Sequence, residues 1–366
     1  MSEPTGSDQD RSGGDHVEHI SWERPVDPRP SPEENALPES GLSFRPLRFA
    51  DYPGQDKVRE NLQVYVGACR KGSYPLDHVL LHGPPGLGKT TLARIVAGEM
   101  GAPFYQTSGP SIDKPGDVAG LMAGMESGAV LFIDEIHRLS IAVEEVLYTA
   151  MEDFCLDILV GQGPTARTVR MPLQPFTLIG ATTRMSLLSG PLVSRFGIQE
   201  RLEFYTVEAL EKVLMQSASH WSITLKREGA TELARRSRGS PRIANRLLRR
   251  VRDFAAFEEQ DGLDAAIVDR TLQRLGIDAQ GLDRMDRRIL GVIRDRYSGG
   301  PVGLDTLAAS VGEEKSTIED VYEPYLLHHG FLDRGPKGRS LSVRAMEHLS
   351  GGAAPPAAGK EPEPLW

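Results

Sequence analysis

The chain has 366 residues, 39% hydrophobic and 25% charged, which suits two or three domains whose cores need no disulfide or metal staple. It contains no run of about 18 uncharged apolar residues that could cross a bilayer. A membrane-spanning protein is therefore excluded; with two cysteines and an opening MSEPTGSDQD that lacks a signal-peptide pattern, nothing suggests secretion and the cytoplasm is the expected location. The net charge of −9 is concentrated in the first forty residues, which hold ten acids against three arginines, so the nearly neutral remainder neither favours nor excludes a nucleic-acid partner.

Residues 1–40 are rich in Pro, Ser, Asp and Glu and too poor in apolar periodicity to offset chain entropy, so they are expected to form a disordered acidic arm. Residues 350–366 have the same character and are expected to be a disordered tail. Between them, residues 41–205 alternate strand and helix. HVLLH (His78–His82) leads through a Gly/Pro turn into the helical pattern TTLARIVAGEMG, with Gly101 as its stop, and AVLFID (129–134) and FTLIGA (176–181) are further continuous apolar runs. Such runs suit strands buried on both faces of a parallel sheet. Residues 206–278 read as helical throughout and form a small helical domain.

Residues 279–349 carry the helix DRMDRRILGVIRDRY, then GLDTLAASVG, then STIEDVYEPYLLHHG, where Ser316 and Glu319 have capping-box spacing. FLDR and SLSVR follow as two short strands around the basic tip GPKGR, which completes a winged-helix pattern.

The most specific motif runs from Gly83 to Thr90, GPPGLGKT, between a predicted strand and a predicted helix. Gly86 and Gly88 let backbone N–H groups approach phosphates, Lys89 reaches the β and γ oxygens, and Thr90 offers a hydroxyl to Mg²⁺ at a helix N-terminus. Asp134 and Glu135 end a later strand, where one carboxylate serves the metal and its neighbour orients a water for attack on the γ-phosphate. That pairing indicates hydrolysis of a bound nucleotide, not only binding. Thr183, at the polar end of GATTR, is a candidate γ-phosphate sensor, although a threonine pair at a strand end equally suits a satisfied turn.

Arg195, in PLVSRFG, has no acid next to it in sequence. It reads either as an arginine presented to a neighbouring subunit's phosphate or as an ordinary surface residue. Arg242, after Ser240-Pro241, is a similar case: it reads either as a group that lets the helical domain respond to bound nucleotide or as an ordinary surface arginine. Arg334, Lys337 and Arg339 on the wing suit contacts to a DNA backbone, or a solvated turn. The helix before the wing is acidic, so sequence-specific readout is not expected. His328 and His329 are adjacent and the cysteines distant, so no further metal site is expected.

Taken together, LFIDEIHRLS, EEVLYTAMEDFCLDILVGQGPTAR, PFTLIGATTR, RFGIQERLEFY, GSPRIANRLLRRVRDFA and the wing segment closely resemble bacterial RuvB, a family of Holliday-junction branch-migration motors, over about residues 43–345. The resemblance implies an α/β AAA+ P-loop NTPase with a parallel-sheet core, an α-helical lid and a C-terminal winged helix. It implies a homohexamer on the duplex arms of Holliday-junction DNA, using ATP and Mg²⁺, with RuvA and RuvC as partners. On it, Asp134 and Glu135 become the Walker B pair, Thr183 sensor 1, Arg195 a finger acting in trans and Arg242 sensor 2. Phe44 and Arg45 match the segment near the adenine. Thr91, Glu152, Asp153, Phe154 and Tyr205 match other nucleotide contacts, and Arg334 and Arg339 match DNA phosphate contacts. Cys155–Pro172 would form a hairpin engaging RuvA through Ile158, Leu159 and Val160. Two other classes remain open on residues alone: a nucleotide-switched loader of protein partners, and a protein unfoldase, which would lack an aromatic pore loop.

Overall fold

The computed structural model describes residues 45–72, 74–160 and 167–350. The acidic arm, the tail, Phe44, and the side chains of Ile158, Leu159 and Val160 lie outside the described residues. Helix α1 (Asp56–Gly72) buries Val58, Leu62, Val66 and Cys69, one apolar stripe at helical spacing. Strand β1 (Val79–His82) and helix α2 (Lys89–Met100) follow, and Gly101 closes the helix in a left-handed conformation with its N–H donating to the carbonyls of Ala97 and Gly98. Next come β2 (Phe104–Ser108), α3 (Pro115–Ala123), β3 (Ala129–Asp134), α4 (Ile141–Asp153), β4 (Cys155–Val160), β5 (Arg167–Pro172), β6 (Phe176–Thr182), α5 (Gly190–Ser194) and β7 (Ile198–Arg201).

Five strands form one parallel sheet in the order β2-β3-β6-β1-β7. Residues 129–133 of β3 are fully buried and β6 is buried along its whole length, which is why both read as unbroken apolar runs. Gly180 in β6 has a packing role. A Cβ there would stand 3.0 Å from both Ile136 Cδ1 and the Phe196 ring, so glycine lets the segment after β3 close on the sheet. The apart-standing hairpin β4–β5 is antiparallel, with Cys155 opposite Pro172 and Val160 opposite Arg167. β2 and β7 are additions to the strands expected from the sequence.

Four helices follow: α6 (Val207–His220), α7 (Arg227–Arg236), α8 (Pro241–Phe257) and α9 (Ala265–Arg274). Thr206, Ser240 and Asp264 cap three of them by accepting from the N–H of the third residue on. One apolar cluster runs from Leu81 and Val130 in the sheet through Leu202 to Leu247 and Val251 in α8.

A separate core lies under α10 (Arg284–Tyr297), α11 (Leu304–Val311), α12 (Lys315–Thr317), a π-turn (Ile318–Tyr322), α13 (Glu323–His328), β8 (Leu332–Gly335), β9 (Gly338–Leu341) and α14 (Val343–Leu349). Two expectations need correction here. The Ser316–Glu319 capping box does not form: Glu314 is the N-cap residue and Ser316 sits inside the helix, its hydroxyl donating to the Glu314 carboxylate at 3.5 Å. SLSVR is not one strand, because Ser342 accepts from the N–H of Ala345 and so starts α14 at Val343. Among the described residues, no helix is long and apolar enough to cross a membrane.

Candidate functional site

The phosphate loop lies between β1 and α2. Gly88, the residue before α2, has φ 95°, and a Cβ there would stand 2.6 Å from the Tyr52 hydroxyl, so the loop needs glycine at this position. Lys89 is only 7% exposed, and its Nζ donates to the carbonyls of Gly83 and Pro84, both at 2.8 Å. Burial lowers its pKa to about 8, Asp134 pulling it back up and the Arg242 charge pushing it further down. A desolvated ammonium held by neutral carbonyls is ready for an anion.

At the end of β3, the Asp134 carboxylate accepts from the Thr90 hydroxyl at 3.5 Å and from the Glu135 N–H at 2.9 Å. Glu135 itself adopts a left-handed backbone, φ 47° and ψ 44°, a conformation uncommon outside glycine that turns its side chain sharply away from the strand line. Its carboxylate pairs with Arg138 at 3.3 Å. Thr90 at a helix N-terminus and Asp134 at a strand end are two hard oxygen donors, and they fit Mg²⁺, which takes its remaining ligands from phosphates and water. Among the described residues, no cluster of three His, Cys, Asp or Glu could hold a metal unaided.

Gly180 pairs with Ile133, so Thr183, three residues further on, lies past Asp134 at the same edge of the sheet. Its neighbour Thr182 is the satisfied one: its Oγ1 accepts from the Arg184 N–H and is bonded to His137 Nδ1, each at 3.0 Å.

The helical layer closes on the loop from above. The Ser240 hydroxyl and the Arg242 N–H donate to the Gly86 carbonyl at 3.2 and 3.4 Å. The Tyr205 hydroxyl donates to that of Tyr52 at 2.7 Å, and Tyr52 donates to the Leu87 carbonyl at 3.3 Å. Burial raises the pKa of both tyrosines, so both stay neutral. Tyr52 and His137 are site residues that no motif spacing disclosed.

The structure therefore gathers Gly86, Gly88, Lys89, Thr90, Asp134, Glu135, Thr183, Tyr205 and Arg242 at one edge, with Thr91 the third residue of α2 and Arg45 at the start of the described chain. It puts Arg195 elsewhere. The Ile198 N–H donates to the His78 carbonyl, and Val79 pairs with Ile198, so Arg195 lies just before the N-terminal edge of the sheet. The phosphate loop leaves the C-terminal edge, a strand length of about 10 Å away. There Arg195 pairs with Glu152 at 3.0 Å and stands 4.7 Å over the Tyr148 ring. Asp153 pairs with Arg170 on β5, and the Phe154 ring meets Phe176 edge-on at 5.8 Å. Glu152, Asp153 and Phe154 are thus grouped with Arg195, not with Lys89.

On the wing, Arg334 and Arg339 stand opposite each other across β8–β9 and therefore share a face. That face meets carboxylates. Arg334 is 3.3 Å from Glu319 and 3.7 Å from Glu323, with half its side chain exposed, whereas Arg339 is buried in an ion pair with Glu323. A phosphate can displace the first pairing at little cost; the second is closed to it unless Glu323 lets go.

Residues 44–202 match the family described as the Holliday junction DNA helicase RuvB P-loop domain, residues 205–278 the RuvB AAA lid domain, and residues 279–350 the RuvB C-terminal winged helix domain. The chain is also similar to the solved Thermotoga maritima RuvB Holliday junction branch migration motor, with 48% identity and a TM-score of 0.76 over 85% of this chain and 99% of that one. A mutant of the same Thermotoga protein aligns with 48% identity and a TM-score of 0.78 over 85% of this chain and 100% of its own.

Proposed function

Since the chain belongs to the RuvB family of Holliday-junction branch-migration motors and is a P-loop ATPase, we propose that it works as one subunit of a homohexameric ring on the duplex arms of a Holliday junction. ATP hydrolysis drives branch migration there in the cytoplasm, with RuvA holding the junction and RuvC resolving it, in recombination and repair. The observation that carries this reading is the separation of Lys89 and Arg195 to opposite edges of one sheet. A chain with a phosphate loop at one edge and a guanidinium at the other is complete only beside a copy of itself, and head-to-tail contacts of that kind close into rings.

In this mechanism Lys89 leaves the Gly83 and Pro84 carbonyls for the β and γ oxygens of ATP, while Gly86 and Gly88 offer backbone N–H groups. Thr90 and Asp134 would hold Mg²⁺, which would supply charge neutralisation on the phosphates. Glu135 orients the attacking water, Thr183 contacts the γ-phosphate, and Arg242 reports its presence to the helical layer. Arg195 of the adjoining subunit neutralises the charge that develops on the transferred group. Glu152, Asp153 and Phe154, beside Arg195, meet the neighbour's nucleotide from the same side, and Arg45 and Tyr205 border the base. Arg334 contacts DNA phosphate, and Arg339 joins it when Glu323 releases. The hairpin carrying Ile158, Leu159 and Val160 engages RuvA. The work divides among residues 41–205, 206–278 and 279–349.

Four-way-junction dissociation with RuvA, ATP and Mg²⁺ tests this. The wild-type chain separates the arms and Lys89→Ala does not, although it still binds duplex. Arm separation by Lys89→Ala at the wild-type rate, or none by the wild type, overturns the proposal.

A further inference from the structure

The winged core is tied to the ATP-side edge of the sheet by one shared set of charges. Arg184 directly follows Thr183, and its Nε and Nη2 donate to the two oxygens of Asp320 at 2.8 and 2.5 Å, fork against fork. The same Nη2 lies 3.9 Å from Glu319. Both acids sit in the π-turn Ile318–Tyr322, a local widening of the helix of a kind frequent at functional positions. On its far side, Glu319 accepts from Arg334 of the wing at 3.3 Å. One carboxylate therefore stands between an arginine of the ATPase edge and an arginine of the wing.

The chain of contacts continues inward. The Arg184 N–H donates to Thr182 Oγ1, and Thr182 is bonded to His137, two residues after Glu135. Burial lowers the His137 pKa, so the ring is neutral and serves as a hydrogen-bond partner rather than as a competing cation. From His137 to the wing the contacts are hydrogen bonds and ion pairs, and Glu135 joins them through two residues of backbone.

We propose that Arg184 is a positioning residue that couples occupancy of the wing to the sensor segment through Asp320 and Glu319. When a DNA phosphate takes Arg334, Glu319 loses that partner and turns its charge to Arg184, which then holds the π-turn more tightly. The pull reaches Thr183 through the adjoining backbone. By linkage the effect is reciprocal: a γ-phosphate that shifts Thr183 alters the grip of Arg184 and with it the freedom of Arg334 to bind DNA. This rests on the motor function proposed above, because Arg334 acts as a phosphate contact only there. The Arg184 and Asp320 side chains are about a third exposed (31% and 38%), so the pair adds little to fold stability and its removal leaves the chain folded.

The test compares ATP turnover with and without junction DNA for the wild type, Asp320→Ala, Arg184→Ala and the exchange Arg184→Asp with Asp320→Arg, with thermal unfolding of each as a control. Asp320→Ala is expected to keep DNA-independent turnover and its melting temperature but to lose about five-fold or more of the DNA stimulation, the low end of an ordinary coupling. Arg184→Ala does the same, and the exchange restores part of the stimulation, which a merely structural tether would not require. Stimulation of Asp320→Ala equal to the wild type's overturns the coupling and leaves the motor standing. A wild type indifferent to DNA overturns the motor, and the coupling with it.

Discussion

Lys89 shows most plainly how one residue is prepared for its ligand. Held at about 8 by burial, against an ordinary 10.5, its ammonium gains more from a phosphate than a solvated lysine would. Because the folded pKa lies below the unfolded one, folding of the nucleotide-free chain releases a proton between these values, and the group's contribution to stability rises with pH across that window. Bound phosphates restore the charge. ATP binding is therefore expected to take up about one proton near pH 9 and almost none at pH 7, read by calorimetry in buffers of different ionisation enthalpy. A binding enthalpy at pH 9 that is independent of the buffer would contradict this. The phosphate-loop and Asp134–Glu135 residues were legible in the sequence because local spacing fixes their geometry. The partners of Arg195 and Arg339 were not, since Glu152 and Glu323 are brought to them by tertiary packing that no adjacent position announces.

At the level of elements, β1, β3 and β6 were legible because strands buried on both faces are continuously apolar. FYQTS and IQER, edge strands with half-buried or alternating residues, carry no such signature. The start of α14 was hidden by SLSV, apolar enough for a strand until Ser342 caps the turn. The junction between α7 and α10 was invisible for a further reason. Arg238, left-handed at φ 55°, is wholly buried, donates to the Gly281 carbonyl at 2.8 Å, is ion-paired with Asp286 and lies 4.9 Å over the Tyr325 ring. Burial pushes the Asp286 carboxyl up to about 7 against the pull of Arg238, whose own charge is held by Asp286 and Asp283. Asp286→Ala leaves that buried guanidinium with only the more distant Asp283, at 3.8 Å, as counter-charge. It is expected to destabilise the chain by about 3–5 kcal/mol in chemical denaturation. A loss below about 1 kcal/mol, the scale of a surface pair, would contradict the assignment.

At the scale of the whole molecule, the sheet acts as a spacer. Nucleotide-binding groups leave its C-terminal edge, Arg195 and its companions gather before its N-terminal edge, and the winged core is attached to the nucleotide edge through Arg184 and Asp320. In the proposed ring, such chains would repeat the contact of loop with guanidinium at every boundary, so hydrolysis at a boundary would change how two subunits meet. The direct measurement is ATP turnover by an equal mixture of Lys89→Ala and Arg195→Ala, each inactive alone. If sites are shared, boundaries pairing the intact loop of one variant with the intact arginine of the other are complete, and random assembly restores roughly a quarter of wild-type turnover. A mixture as inactive as its components, with mixed assemblies shown to form, would mean that each chain needs both residues for its own site and would contradict the account.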